Sequence, residues 1–130
     1  MNEDQRLHLQ FIQNVITRMN ANSFQVKTWT VSIIVALAAL AVNSKNYMYI
    51  LISVVPTILF WTLDSYYLQQ ERKFRGLYKD VVLGNVPLYL MQINRYREGI
   101  YQFSSALFSN SIIKFYGAIL ASILLATFIA

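Results

Sequence analysis

Few side chains in this sequence have the types and spacing that chemistry requires. The single histidine, His8, stands near the amino terminus among polar residues, and no cysteine is present to pair with it. There is no glycine-rich phosphate loop, HExxH pair or zinc-ligand spacing. A reactive centre needs convergent titratable groups, so no catalytic residue, metal or cofactor is expected, and His8 reads as solvated. Without cysteine, disulfides and thiolate chemistry are also excluded.

Two sets of charges remain. Arg72, Arg75 and Lys79 follow one another at steps of three and four, which places them on one side of a helix. With Arg95 and Arg97 from the next element they form a candidate site for a phosphate-bearing ligand, since arginine grips phosphate in bidentate fashion. The competing reading is a topology determinant that touches anionic lipid, and Glu71 and Asp80 dilute the patch. The second set centres on Asp64, which ends an apolar run. An acid at such an edge is costly unless hydrated or paired. Its candidate partners are Lys27 and Lys114; the alternative is a boundary carboxylate in headgroup water.

The elements that position these charges follow from composition. Apolar residues make up 56% of the 130, charged residues 13%, and mean hydropathy is +0.41, which points to lipid rather than a solvated globule. Met1 to Gln10 carries Glu3, Asp4, Arg6 and His8, unlike a signal peptide, so the first apolar segment reads as a retained anchor. Uncharged runs after Lys27, before Asp64 and after Lys114 predict spans at 27–43, 47–64 and 112–130, each short against the roughly 20 residues a bilayer needs. Basic residues gather before the first span and between the second and third, and only Lys45 lies in the loop of the hairpin. The positive-inside bias therefore sets the amino terminus and residues 65–111 in the cytoplasm. Trp29, Trp61, Tyr66, Tyr67, Phe115 and Tyr116 mark the inner boundary.

Residues 1–26 predict a cytoplasmic amphipathic helix, with Leu7, Phe11 and Val15 repeating beside Ile12, Ile16 and Met19. Nothing but Gly76 interrupts helical character from Phe60 to Leu83, so the second span is expected to continue into water as a stalk, the natural partner of the amphipathic helix. Gly84, Asn85 and Pro87 end that stalk, and "LYLMQINRYREG" predicts a third cytoplasmic helix. Small and hydroxyl residues recur every four positions as Ala118, Ser122, Ala126 and Ala130, as Thr28, Ser32 and Ala36, and as Ser53 and Thr57 around Pro56. Such stripes suit close helix packing or the lining of a narrow pore. Three helices enclose almost nothing, so a conduit requires a homo-oligomeric ring, a tetramer or larger.

The run "HLQFIQNVITRMNANSFQVKTW", a span, and then "FWTLDSYYLQQERKFRGLYKDV" resembles small bacterial membrane effectors of nucleotide-signalling antiphage defence, of the SLATT-like or Hailong type. The resemblance covers roughly residues 8–82. It implies an oligomeric inner-membrane pore or ion channel, gated by a cyclic or linear oligonucleotide and disrupting the membrane when open. The expected whole is a single all-α membrane domain of three spans, partnered by lipid and by copies of itself, with no DNA partner. Two other classes stand beside it: a non-conducting scaffold or regulator docking a soluble partner through its N-terminal helix, and a small transporter or membrane enzyme dependent on Asp64.

Overall fold

The computed structural model describes residues 2–129, which leaves Ala130 of the small-residue stripe outside the described residues. Helix α1 runs unbroken over Glu3–Ser44. Its start is fixed by Asn2, whose side-chain oxygen accepts the Gln5 N–H at 2.8 Å, and Glu3 and Asp4 complement the helix dipole there. It ends at Lys45, left-handed at φ 57°, where Asn46 N–H closes on the Ala41 carbonyl at 3.1 Å. The chain then reverses through α2 (Met48–Ile52) and α3 (Val54–Val82). The break between these two follows from Pro56, which has no N–H for the Ile52 carbonyl and whose ring crowds it.

Among the described residues three helical stretches are long and apolar enough to cross a membrane: α1, the α2–α3 pair, and α5 (Asn110–Ile129). Both α1 and α3 extend well beyond their apolar portions, and α3 passes through Asp64 without a break. The amphipathic N-terminal segment and the first span are thus one helix, packed along its length against α3. Buried and half-buried residues of α1 recur as Leu9, Ile12, Ile16, Met19, Ser23, Val26 and Thr30. These alternating steps of three and four make a heptad seam.

Between α3 and α5 the structure departs from expectation. Residues 88–98 form no helix; after Gly84 they run as an irregular strap, followed by a 3-10 turn (Gly99–Tyr101) and the short α4 (Phe103–Leu107). The strap lies on the stalk, where Val86, Leu90, Met91, Ile93 and Tyr96 pack against the core of Ile12, Ile16, Leu77 and Val81. Extended backbone brings more apolar side chains to that seam than one face of a helix would. It also leaves backbone groups in need of partners, and α1 supplies them.

Helix α5 packs on α3 and α2. Among the described residues no Cα of α5 comes within 8 Å of one in α1. A cleft lies between the side chains of the first and third apolar helices, and Ile50 and Ser53 of the second close it at one end.

Candidate functional site

The centre of the molecule is the carboxylate of Asp64, which is completely buried. Its Oδ2 accepts Lys27 Nζ at 2.6 Å and the Tyr116 hydroxyl at 2.9 Å, while Oδ1 accepts the Ser23 hydroxyl. Lys27 also donates to Ser23 Oγ at 2.9 Å. Ser23 and Lys27 stand one turn apart on α1, Asp64 comes from α3 and Tyr116 from α5. One carboxylate thus ties together all three membrane-length helices.

Removing an ion pair from water costs several kcal/mol per ion unless geometry and extra hydrogen bonds offset it. Two hydroxyls and one ammonium occupy both oxygens of this carboxylate, and the Lys27 side chain is itself 24% exposed. It lies 5.8 Å from the centre of the Phe115 ring, a cation–π distance. Of the two expected partners Lys27 is the one engaged, and Lys114 is exposed. The reading of Asp64 as a carboxylate in headgroup water is overturned by its burial.

Aromatic rings wall this cluster. Trp61 stacks on Tyr116, with centroids 6.5 Å apart and planes 10° from parallel, and meets Phe108 edge-on. Its indole N–H donates to the Leu107 carbonyl at 3.1 Å, fastening the approach to α5 onto α3. Beside Asp64, Ser65 is also fully buried and returns its hydroxyl to the Trp61 carbonyl. Ser23 had no sequence signal of its own, although it lies four residues before Lys27 and so shares its helix face.

His8 corrects a second expectation, because it is buried rather than solvated. Its Nδ1 accepts the Tyr89 N–H at 3.2 Å and its Nε2 lies 2.6 Å from the Leu90 carbonyl. A backbone N–H only donates and a carbonyl only accepts, so the proton sits on Nε2. The imidazole replaces the helical partners those two backbone groups lack. Tyr89 is left-handed at φ 62°, its ring lies against His8 and Phe11, and its hydroxyl donates to Asp4 at 2.9 Å. That hydrogen bond raises the pKa of Tyr89, with desolvation and the charge of Asp4 adding to it.

Further along the strap, Tyr96 and Tyr101 sit on Gly76. A Cβ there would fall 2.6 Å from the Tyr101 hydroxyl and 3.1 Å from the Tyr96 ring, so this glycine serves a close approach of the strap. The Tyr96 hydroxyl donates to Asp80 at 2.5 Å. Burial first, and then that bond, push its pKa well above the usual tyrosine value.

The expected phosphate-binding set is only partly assembled. Arg75 and Lys79 share the wall of a groove with Gln13, Ile16 and Tyr78, about 240 Å³ in volume, on the α1–α3 seam. Arg75 also pairs with Glu71 at 3.0 Å. Arg72 turns instead to the Ile100 carbonyl and the Ser105 hydroxyl. Arg95 lies 3.9 Å from Asp80, and Arg97 donates to the Asn94 carbonyl; both stand on the strap rather than on a helix.

The small and hydroxyl residues divide in two. Ser53 and Thr57 are buried. Ser32, Ala36, Ala118 and Ser122 are exposed, and Ala126 is half-buried. Comparison with protein-family models, with curated proteins and with solved structures gives no match.

Proposed function

We propose that the chain is the subunit of a homo-oligomeric membrane pore or ion channel whose stalk receives an anionic signal from the cytoplasm. The observation that carries this reading is the continuity of α1 and α3 from the basic groove to the buried Asp64 cluster. Arg75 is eleven residues beyond Asp64 on α3, about 17 Å along a helix. A ligand held by Arg75 and Lys79 of α3 and reaching Gln13 of α1 in the same groove would alter how α1 and α3 meet, and the same two helices carry that change to the carboxylate that binds α5. Gating follows only if the ligand prefers one of two arrangements, because equal affinity shifts nothing.

The resemblance to antiphage effectors names the signal as a cyclic or linear oligonucleotide and the setting as a bacterial inner membrane with the amino terminus in the cytoplasm. The exposed stripes of Ser32 and Ala36 and of Ala118, Ser122 and Ala126 supply surfaces for contact between copies or for the lining of the conduit. The scaffold reading keeps only part of its surface, since Ile12 and Ile16 of the N-terminal stripe are already buried while Leu7 and Phe11 remain exposed.

The test is to determine the oligomeric mass in mild detergent, reconstitute the protein in planar bilayers, and record current with and without oligonucleotides. Ligand-dependent current that disappears in Arg75→Glu/Lys79→Glu, with assembly intact, is expected. A discrete assembly that never conducts would sink the pore and favour the scaffold.

A further inference from the structure

We propose that the cleft between α1 and α5 holds one anionic glycerophospholipid from the surrounding leaflet, its acyl chain along the cleft and its phosphate at Lys27. This goes beyond the pore reading and competes with one part of it, because Ser32, Ala118, Ser122 and Ala126 cannot both hold lipid and meet another copy or line the conduit.

The cleft has two parts. Near the Asp64 cluster it is lined by Phe24, Lys27, Thr28, Val31, Ser32 and Phe115, with a volume of about 340 Å³. Farther along, about 270 Å³ is bounded by residues that include Ile34, Ala38, Ser53, Ala118, Ser122 and Ala126. Phe115, Ala118, Ser122 and Ala126 follow at steps of three and four, so one face of α5 borders both parts.

Three properties select the occupant. First, every hydroxyl on the walls is already used: Thr28 donates to the Phe24 carbonyl, Ser32 to Thr28, Ser53 to Ile50 and Ser122 to Ala118. The surface they leave is effectively apolar, which suits hydrocarbon and offers little to water. Second, charge is confined to one end, since Lys27 alone among the lining residues is ionic. Lys114 is exposed on α5 one residue before Phe115. Third, Lys27 borders the cleft with its side chain 24% exposed, while Asp64, the anion that pairs with it, lies fully buried. A long apolar body with a single anionic end is the shape and charge of an acidic phospholipid.

The test uses the full chain purified from membranes containing equal phosphatidylglycerol and phosphatidylcholine. Native mass spectrometry should find phosphatidylglycerol retained in preference. Lys114→Gln should reduce that preference about fivefold, the weight of one cation near an anionic surface. Ala38→Phe/Ser122→Phe, which fills the cleft from both walls, should abolish retention. Equal retention of the two lipids, or unchanged retention in the filled variant, overturns the proposal.

Because the chain has no cysteine, Ser122→Cys provides an independent reading that does not depend on the filled variant folding. A fluorophore there should be quenched more by brominated phosphatidylglycerol than by brominated phosphatidylcholine. Equal quenching, cross-linking of this cysteine to Ser32→Cys of a second copy, or its reaction with a membrane-impermeant thiol reagent would each replace lipid with another occupant.

Discussion

In the stalk half of the α1–α3 pair the buried side chains are large and apolar, with Ile12, Ile16, Leu77 and Val81 at the seam. In the half that carries the apolar spans they are small or hydroxylated, with Thr30, Ala41, Ser53 and Thr57 inside and Val35, Val42, Val55 and Leu59 turned out. One pair of helices thus follows two packing rules. In water, apolar area removed from solvent drives association at roughly 25 cal/mol per Å². In lipid that drive is absent, and helices associate through close packing and hydrogen bonds that small residues permit. Asp64 stands where one rule gives way to the other.

The largest expected effect breaks that junction. Asp64→Ala would leave Lys27 without its counter-ion and Ser23 and Tyr116 without their acceptor, a loss of about 3–5 kcal/mol by analogy with other broken buried pairs. Thermal unfolding in detergent should show it. Asp64→Asn/Lys27→Met should recover much of the loss, and a double variant no better than Asp64→Ala would remove the ion pair as the cause.

Next, the two packing rules can be set against each other directly. Leu77→Ala in the stalk should cost about 2–5 kcal/mol, measured as loss of hydrogen-exchange protection in α1 and α3. Thr57→Val, nearly isosteric in the apolar half, should cost less than about 1 kcal/mol, because the Thr57 hydroxyl only returns to the Ser53 carbonyl of its own helix. Comparable losses at the two sites would erase the distinction.

The strap offers a smaller effect. His8→Ala orphans the Tyr89 N–H and the Leu90 carbonyl, at about 1–3 kcal/mol, and should speed tryptic cleavage after Arg95 and Arg97 while the spans stay protected. Unchanged cleavage would mean that the strap is held without His8.

The smallest is a pH effect. The folded pKa of Tyr96 lies above its ordinary value of 10.0, so its contribution is complete below about pH 10 and is lost as pH rises towards the folded pKa. Strap cleavage should therefore increase above about pH 10 in the native protein, and less steeply in Tyr96→Phe. A parallel pH profile in that variant would assign the alkaline loosening elsewhere.

The sequence by itself determined the helical class, the three apolar stretches and the uninterrupted passage of α3 through Asp64. These depend on local composition and on periodicity of three and four, which are written residue by residue. It also singled out Asp64 and Lys27, because a charge beside an apolar run is conspicuous in one dimension. Tertiary structure alone decided that Ser23 and Tyr116 complete that site, since they lie 41 and 52 positions from Asp64. It decided too that residues 88–98 form a strap. "LYLMQINRYREG" has a plausible helical pattern, but its backbone groups find partners on His8, more than 80 positions away. A local pattern records which face of a segment is apolar; whether its backbone hydrogen bonds close within the segment or on a distant side chain is settled only when remote parts of the chain meet.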